Sequence, residues 1–184
     1  EAISTLRVCF DSSRHAIDAV SRVMRQSVIP CALEFMDRHA LAAIRATGTT
    51  DDMPAGTQAL LMVEADGVSA DLPRQLALLK TALAGAGLLE LRESLDGEDA
   101  RRLWAARKSL SHAIKKIAPL KINEDVVVPV SALPDFVDFL DGLGAQHQLP
   151  IVSFGHAGNG NLHVNLMVHP DDTGEMARTE QCLN

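Results

Sequence analysis

Two histidines and an asparagine crowd one glycine-rich run, Ser153-Phe154-Gly155-His156-Ala157-Gly158-Asn159-Gly160-Asn161-Leu162-His163-Val164-Asn165. Imidazole nitrogens accept zinc, manganese and iron. Asn-Gly between apolar runs is a strong hairpin signal, because a type I′ turn needs φ > 0 at both central positions. With Asn159-Gly160 as that turn, His156 pairs with His163 across the ladder, Cβ atoms about 4.5–5.5 Å apart. Asn165 lies two residues further and points to the same face. Two imidazoles are half of a metal site, since catalytic zinc usually has three protein ligands and a water. Glu124 and Glu64 are carboxylates that could join them. The plainer reading is two polar residues at the exposed mouth of a hairpin.

Arg107 and Ser111 stand at i and i+4, on one face of a helix. A guanidinium is a planar fork suited to a carboxylate. Arg101, Arg102, Lys108, Lys115 and Lys116 crowd the same segment, so spacing alone reads as a solvated face. Trp104, one turn earlier, reads as core. Lys121, Asn123 and Asp125 alternate onto one face of an extended run, with Ile122, Glu124 and Val126 on the other. The histidines at 15, 39, 112, 147 and 169 read as surface positions. Gly155, Gly158 and Gly160 follow a strand without opening a helix, so they do not form a dinucleotide fingerprint. Neither a P-loop nor a nucleophile elbow is present.

These residues need a scaffold. The 184 residues are 47% hydrophobic, enough for one core or two small lobes sharing it. A net charge of −7 and 3% aromatic content argue against a nucleic-acid surface. No stretch of about 18 apolar residues marks a membrane span, and the N-terminus does not read as a signal peptide. Cys9, Cys31 and Cys182 are odd in number and widely spaced, as reduced cytosolic thiols are, two of them in apolar strands. Residue 1 is not Met and a charged helical pattern runs to the last residue, so the chain reads as a fragment of a longer protein.

Periodicity predicts strands at Leu6–Phe10, Cys31–Met36, Gln58–Ala65, Leu88–Glu93 and Lys121–Val128, followed by the two arms of the hairpin. Asp51 to Thr57 reads as a loop. Helices follow Ser12, Asp37, Asp71, Asp96 and Ser131, each a capping residue type. The order predicts an α+β fold of ferredoxin-like units, with an antiparallel or mixed sheet and helices packed on one face.

The run Gly155-His156-Ala157-Gly158-Asn159-Gly160-Asn161-Leu162-His163-Val164-Asn165 resembles the G-H-x-G-(D/N)-G-N-L-H-x-N signature of FAD-linked oxidases. These are the D-lactate dehydrogenase, glycolate oxidase and D-2-hydroxyglutarate dehydrogenase relatives of the vanillyl-alcohol oxidase superfamily. Ala32-Leu33-Glu34-Phe35-Met36-Asp37, the strand ending Glu64-Ala65-Asp66-Gly67, Leu103-Trp104-Ala105-Ala106-Arg107-Lys108 and Glu124-Asp125-Val126-Val127-Val128-Pro129 agree in order. The resemblance covers essentially the whole chain.

It implies that residues 1–184 are most of a C-terminal cap domain, whose FAD-binding domain and final segment lie outside this sequence. It implies His156 and His163 as ligands of a divalent metal (Zn, Mn or Fe), with the family's glutamate ligand beyond Asn184. By the same resemblance His163 and Asn165 are catalytic, and Arg107, Ser111, Lys121 and Asn165 bind substrate. The family's lysine falls on Asn123 when counted back from Pro129, with Lys121 two residues earlier on the same strand face. The implied parent oxidises a D-2-hydroxy acid to a 2-oxo acid by hydride transfer to FAD. A cytochrome, quinone or flavoprotein then takes the electrons. The expected location is cytoplasmic, or peripheral to the inner membrane in the parent complex. The fragment alone is expected to be inactive. The competing expectation is a stand-alone α+β module with a regulatory metal.

Overall fold

The computed structural model describes residues 2–48 and 52–183. β1 (Ala2–Phe10) leads into α1 (Ser13–Val23), whose first turn is closed by the Ser12 hydroxyl accepting from His15 N. β2 (Ala32–Met36) is followed by α2 (Arg38–Arg45), capped by the Asp37 carboxylate. β3 (Ala59–Gly67), α3 (Leu72–Leu83) and β4 (Leu88–Glu93) come next, then the long α4 (Gly97–Ala113) capped by Asp96. β5 (Leu120–Val127), α5 (Leu133–His147), β6 (Ile151–His156), β7 (Asn161–Val168) and α6 (Thr173–Leu183) complete the order. The predicted Ser131 cap is not used, and Asp71, at the start of α3, makes no side-chain cap bond either. A 3-10 turn spans Val130–Ala132, and α5 opens after Ala132 with no side-chain cap. Asp51 of the predicted loop lies outside the described residues.

The strands form one seven-stranded sheet in the order β4-β1-β3-β2-β6-β7-β5, with every neighbouring pair antiparallel. The order β4-β1-β3-β2 with α1 and α3 is a ferredoxin-like unit, into which α2 is inserted. β5-α5-β6-β7-α6 is a second unit of three strands, and β2 pairs with β6 to join the two. The α+β class and the antiparallel sheet are as expected from the sequence.

Helices cover more of the sheet than one face. α1, α3 and α5 pack on the side of Leu6, Phe10, Phe35 and Leu61. α2 and α4 cover the other, against Met36, Met62, Phe154 and Met167. The reason is in the central strands. β3 is apolar at successive positions from Ala59 to Val63, all buried, so both of its faces need cover. Each fully buried Leu, Ile or Phe contributes about 1.5–3 kcal/mol.

The hairpin differs from the predicted turn. His156 pairs with Asn161, and His163 pairs with Phe154. The connection is a 3-10 turn over Ala157–Asn159, closed by Gly160 in the left-handed region at φ 71°. Among the described non-glycine residues only Gln148 has positive φ, so Asn159 does not take the type I′ geometry. Ala157 is fully buried in the core cluster that holds Leu33 and Leu162, so it leaves the ladder, and the connection widens from the predicted two residues to the four of Ala157–Gly160. His156 and His163 are therefore diagonal neighbours on one face, not directly opposed.

Candidate active site

The α2/α4 face of the sheet carries the chemistry. Strand alternation places Glu34 of β2, Phe154 and His156 of β6, and His163 and Asn165 of β7 on that face. Lys121, Asn123 and Asp125 of β5 join them. The rings of His156 and His163 have centroids 5.9 Å apart, inclined at 71°. Each ring turns Nδ1 to a carboxylate: His156 to Glu34, and His163 to Asp125 at 2.5 Å. A carboxylate at Nδ1 assigns the proton there and leaves Nε2 as the free lone pair. Metal-ligating histidines are held in this way. The His163 ring, and then the Asn123 amide, hold the Asp125 carboxyl below the usual range.

Arg107 reaches down from α4. Its Nε donates to Glu34 Oε2 at 2.8 Å, and its guanidinium carbon lies 4.9 Å from the centre of the Phe154 ring. Phe154 in turn contacts His163, ring centroids 5.4 Å apart. Glu34 is only 7% exposed in its side chain and Arg107 16%, so this pair is screened little. The Arg107 Nη groups have no hydrogen-bond partner in the protein among the described residues.

A cavity of about 550 Å³ is lined by Arg107, Ser111, Lys121, Asn123, Asp125, Phe154 and His163. The fold thus collects Arg107, Ser111, Lys121 and His163 at one hollow, and Lys121 and Asn123 both reach it. His156 stands at the edge of this group, half-exposed. Asn165 is placed differently. It is fully buried and does not line the cavity. Its amide donates to the carbonyls of Val152 and His163, and its Oδ1 is buried without a partner.

The proposed extra carboxylates do not join the histidines. Glu124 faces the opposite side of the sheet, where it lines a hollow with Val126 and Phe136. Glu64 accepts from Trp104 Nε1 and Thr5 Oγ1. Trp104 is part of the adjacent core, as its spacing suggested. Among the described residues no three His, Cys, Asp or Glu side chains form a ready metal cluster. Among the described residues the donors on this face that suit an imidazole-binding ion are two imidazoles, each with Nδ1 turned to a carboxylate.

Sequence reasoning gave no role to Glu34, Asp125 or Phe154. A signal for Glu34 was available: it is the one charged residue in the apolar run Ala32–Met36, and buried carboxylates need partners.

The sequence model of the family described as FAD linked oxidases, C-terminal domain, matches residues 1–184. The glycolate oxidase subunit GlcD of Bacillus subtilis is 29% identical over 183 residues, covering 100% of this chain and 39% of that protein. GlcD of Escherichia coli K12 is 31% identical over 176 residues, covering 96% of this chain and 35% of that protein. The chain thus spans less than half the length of these relatives. The crystal structure of p-cresol methylhydroxylase with substrate bound shares the fold, with a TM-score of 0.74 and 11% identity. The match covers 100% of this chain and 42% of that one.

Proposed function

We propose a function that proceeds from one fact: the chain belongs to the family of FAD-linked oxidase C-terminal domains. In our reading it is the substrate-side cap of a flavoenzyme that oxidises a small D-2-hydroxy acid, of the glycolate, lactate or 2-hydroxyglutarate type, to the 2-oxo acid. The observation that carries this reading is the shared cavity. An arginine with free Nη groups, two further polar strand residues and an oriented imidazole converge on one hollow.

The roles follow from the donors present. Arg107 offers its Nη groups to the substrate carboxylate, its guanidinium carbon over the Phe154 ring and its Nε fixed by Glu34. Ser111 and Lys121 supply further donors around that carboxylate. His156 and His163 would hold a divalent ion (zinc, manganese or iron) through Nε2. Such an ion, when bound, is a Lewis acid for the substrate hydroxyl. Asn165, buried behind the cavity, acts through His163: its amide donates to the His163 carbonyl at 3.3 Å and to the Val152 carbonyl, which holds the strand that carries the imidazole. FAD, held mainly by a flavin domain elsewhere in the same protein, would supply the acceptor for the hydride of C2. A cytochrome, quinone or partner flavoprotein would reoxidise it. Among the described residues no helix is long and apolar enough to cross a membrane.

The test uses the full-length protein loaded with FAD. Anaerobic addition of D-lactate, glycolate or D-2-hydroxyglutarate should bleach the flavin band. Arg107→Ala should lower kcat/KM for the active acid about 100-fold, the loss of roughly 3 kcal/mol of charged hydrogen bonding. An unreduced flavin with all three acids would end this reading. Unchanged kcat/KM in the variant would remove Arg107 from the site.

A further inference from the structure

We infer that Glu34 is a positioning residue that sets the substrate-gripping arginine and a metal-binding histidine at once, so that the two sites are coupled. The inference rests on the function proposed above. It comes from one buried carboxylate with two partners on two other elements.

Glu34 lies on β2, Arg107 on α4 and His156 on β6. Oε2 accepts from Arg107 Nε at 2.8 Å, while Oε1 takes the Nδ1 of His156. Register places Glu34 directly across from His156, so the second contact is built into the β2–β6 pairing. The carboxylate sits in a strand whose next two residues, Phe35 and Met36, are fully buried. A desolvated carboxylate without partners is costly, so its two oxygens are held by the two donors.

The consequences fall on atoms the mechanism uses. With Nε committed to Glu34, Arg107 presents its two Nη groups as the free end of the fork. With Nδ1 protonated toward Glu34, His156 presents Nε2 as a lone pair. Both neighbours donate, so the residue between them must accept twice. Glutamine accepts at one atom and donates at the other, and so satisfies one partner only. It would either release Arg107 or drive His156 to the tautomer whose Nε2 carries the proton. Asp125 provides the contrast: it pairs with His163 and with the Asn123 amide, and has no hydrogen bond to Arg107.

The experiment compares Glu34→Gln with Asp125→Asn in the full-length flavoprotein. It measures the Zn²⁺ dissociation constant by competition with a chromophoric chelator, and KM and kcat for D-lactate and glycolate. Glu34→Gln should weaken Zn²⁺ about 10–100-fold, as loss of a partner behind a ligand does. It should also raise KM for the hydroxy acid by a similar factor. Asp125→Asn should also weaken Zn²⁺, through His163, but in the metal-free protein it should leave the ¹⁵Nε–H resonance of Arg107 in place, because Asp125 has no hydrogen bond to Arg107. A readout on the wild type covers the case in which Glu34→Gln does not fold. Adding Zn²⁺ should shift the ¹⁵Nε–H resonance of Arg107 in the wild type and also in Phe154→Leu, which removes the ring that links Arg107 to His163 and leaves the route through Glu34. If Glu34→Gln moves Zn²⁺ affinity or KM alone, or if the Arg107 resonance ignores Zn²⁺, the shared role is overturned. A wild type that binds neither Zn²⁺ nor a hydroxy acid removes the proposed function, and the coupling with it. A wild type that binds both while the variant matches it removes Glu34 alone.

Discussion

Asp37 and Ser153 lock the two ferredoxin-like units at their seam. Asp37 N donates to Ser153 O at 3.0 Å, and Ser153 N and Oγ donate back to Asp37 Oδ2 at 2.6 and 3.0 Å. The other carboxylate oxygen caps α2 through Ala40 N at 2.7 Å. Burial pushes the Asp37 carboxyl above its usual range, and the donated hydrogen bonds work against that rise. Glu34 is three residues before Asp37 on the same segment, and His156 three after Ser153, so this lock fixes the register on which the site depends. Asp37→Ala should cost about 2–4 kcal/mol, from a lost cap and two orphaned donors. Ser153→Ala, losing one hydroxyl bond, should cost about 1 kcal/mol. Urea unfolding of the two variants measures the difference.

The turn between the histidines depends on Gly160. It has φ 71°, and a Cβ there would stand 1.9 Å from the carbonyl oxygen of Val128. Backbone cannot yield to that as a side-chain tip would. Gly160→Ala should destabilise by at least about 2 kcal/mol, strain and displacement together. Gly142 in α5 has nothing within 4 Å of such a Cβ. There the same substitution should stabilise by about 0.5–1 kcal/mol, the helix-propensity gain. Equal shifts in the unfolding midpoints would refute the contrast.

An ion network at the far end of the same face sets the acid limb of stability. Arg7, almost fully buried, bonds Asp52 at 2.7 Å and Glu90 at 2.7 Å, and Arg92 bridges Asp52 and Asp99 at 2.8 Å each. Partial burial opposes it, but the Arg7 hydrogen bond and the Arg92 charge hold the Asp52 carboxyl below its usual range. The Leu95 amide, then Arg102, do the same for Asp99. Both folded values are depressed, so their contribution is complete above the unfolded value of about 3.9. It is lost as pH falls through the folded values. Thermal melts from pH 5 down to about pH 2 should show a shallower loss in Asp52→Asn than in wild type. Parallel curves would contradict the assignment.

Metal affinity of the 184-residue chain alone should be modest. Four-ligand structural zinc is worth about 10–16 kcal/mol near neutral pH, and two oriented imidazoles supply about half of that. The expected Zn²⁺ dissociation constant is then about 1–200 μM. His156→Asn or His163→Asn should each abolish detectable binding in calorimetry. Retention of wild-type affinity in either variant would show that the two rings do not share an ion.

Much of the fold was readable residue by residue. The capping side chains of Ser12, Asp37 and Asp96 started helices where expected, and the buried run Ala59–Val63 marked a strand. These are local effects, decided within a few residues by backbone donors and period. The polar face of Lys121, Asn123 and Asp125 was likewise legible, because alternation fixes which side chains point together. The motif around His156 and His163, with Arg107 upstream, was enough to point to the FAD-linked oxidases.

What the tertiary structure alone decided is how those faces meet. The turn at Ala157–Asn159 is set by the burial of Ala157 in a core supplied by distant strands, and no local propensity predicts that. The pairing of β2 with β6 brings Glu34 to His156 across 122 positions of sequence, and α4 lays Arg107 over Phe154. A local pattern tells which residues share a face of one element. Only packing between elements tells which residues share a proton, a ring face or a cavity, and there Glu34 acquired the place that its sequence position did not announce.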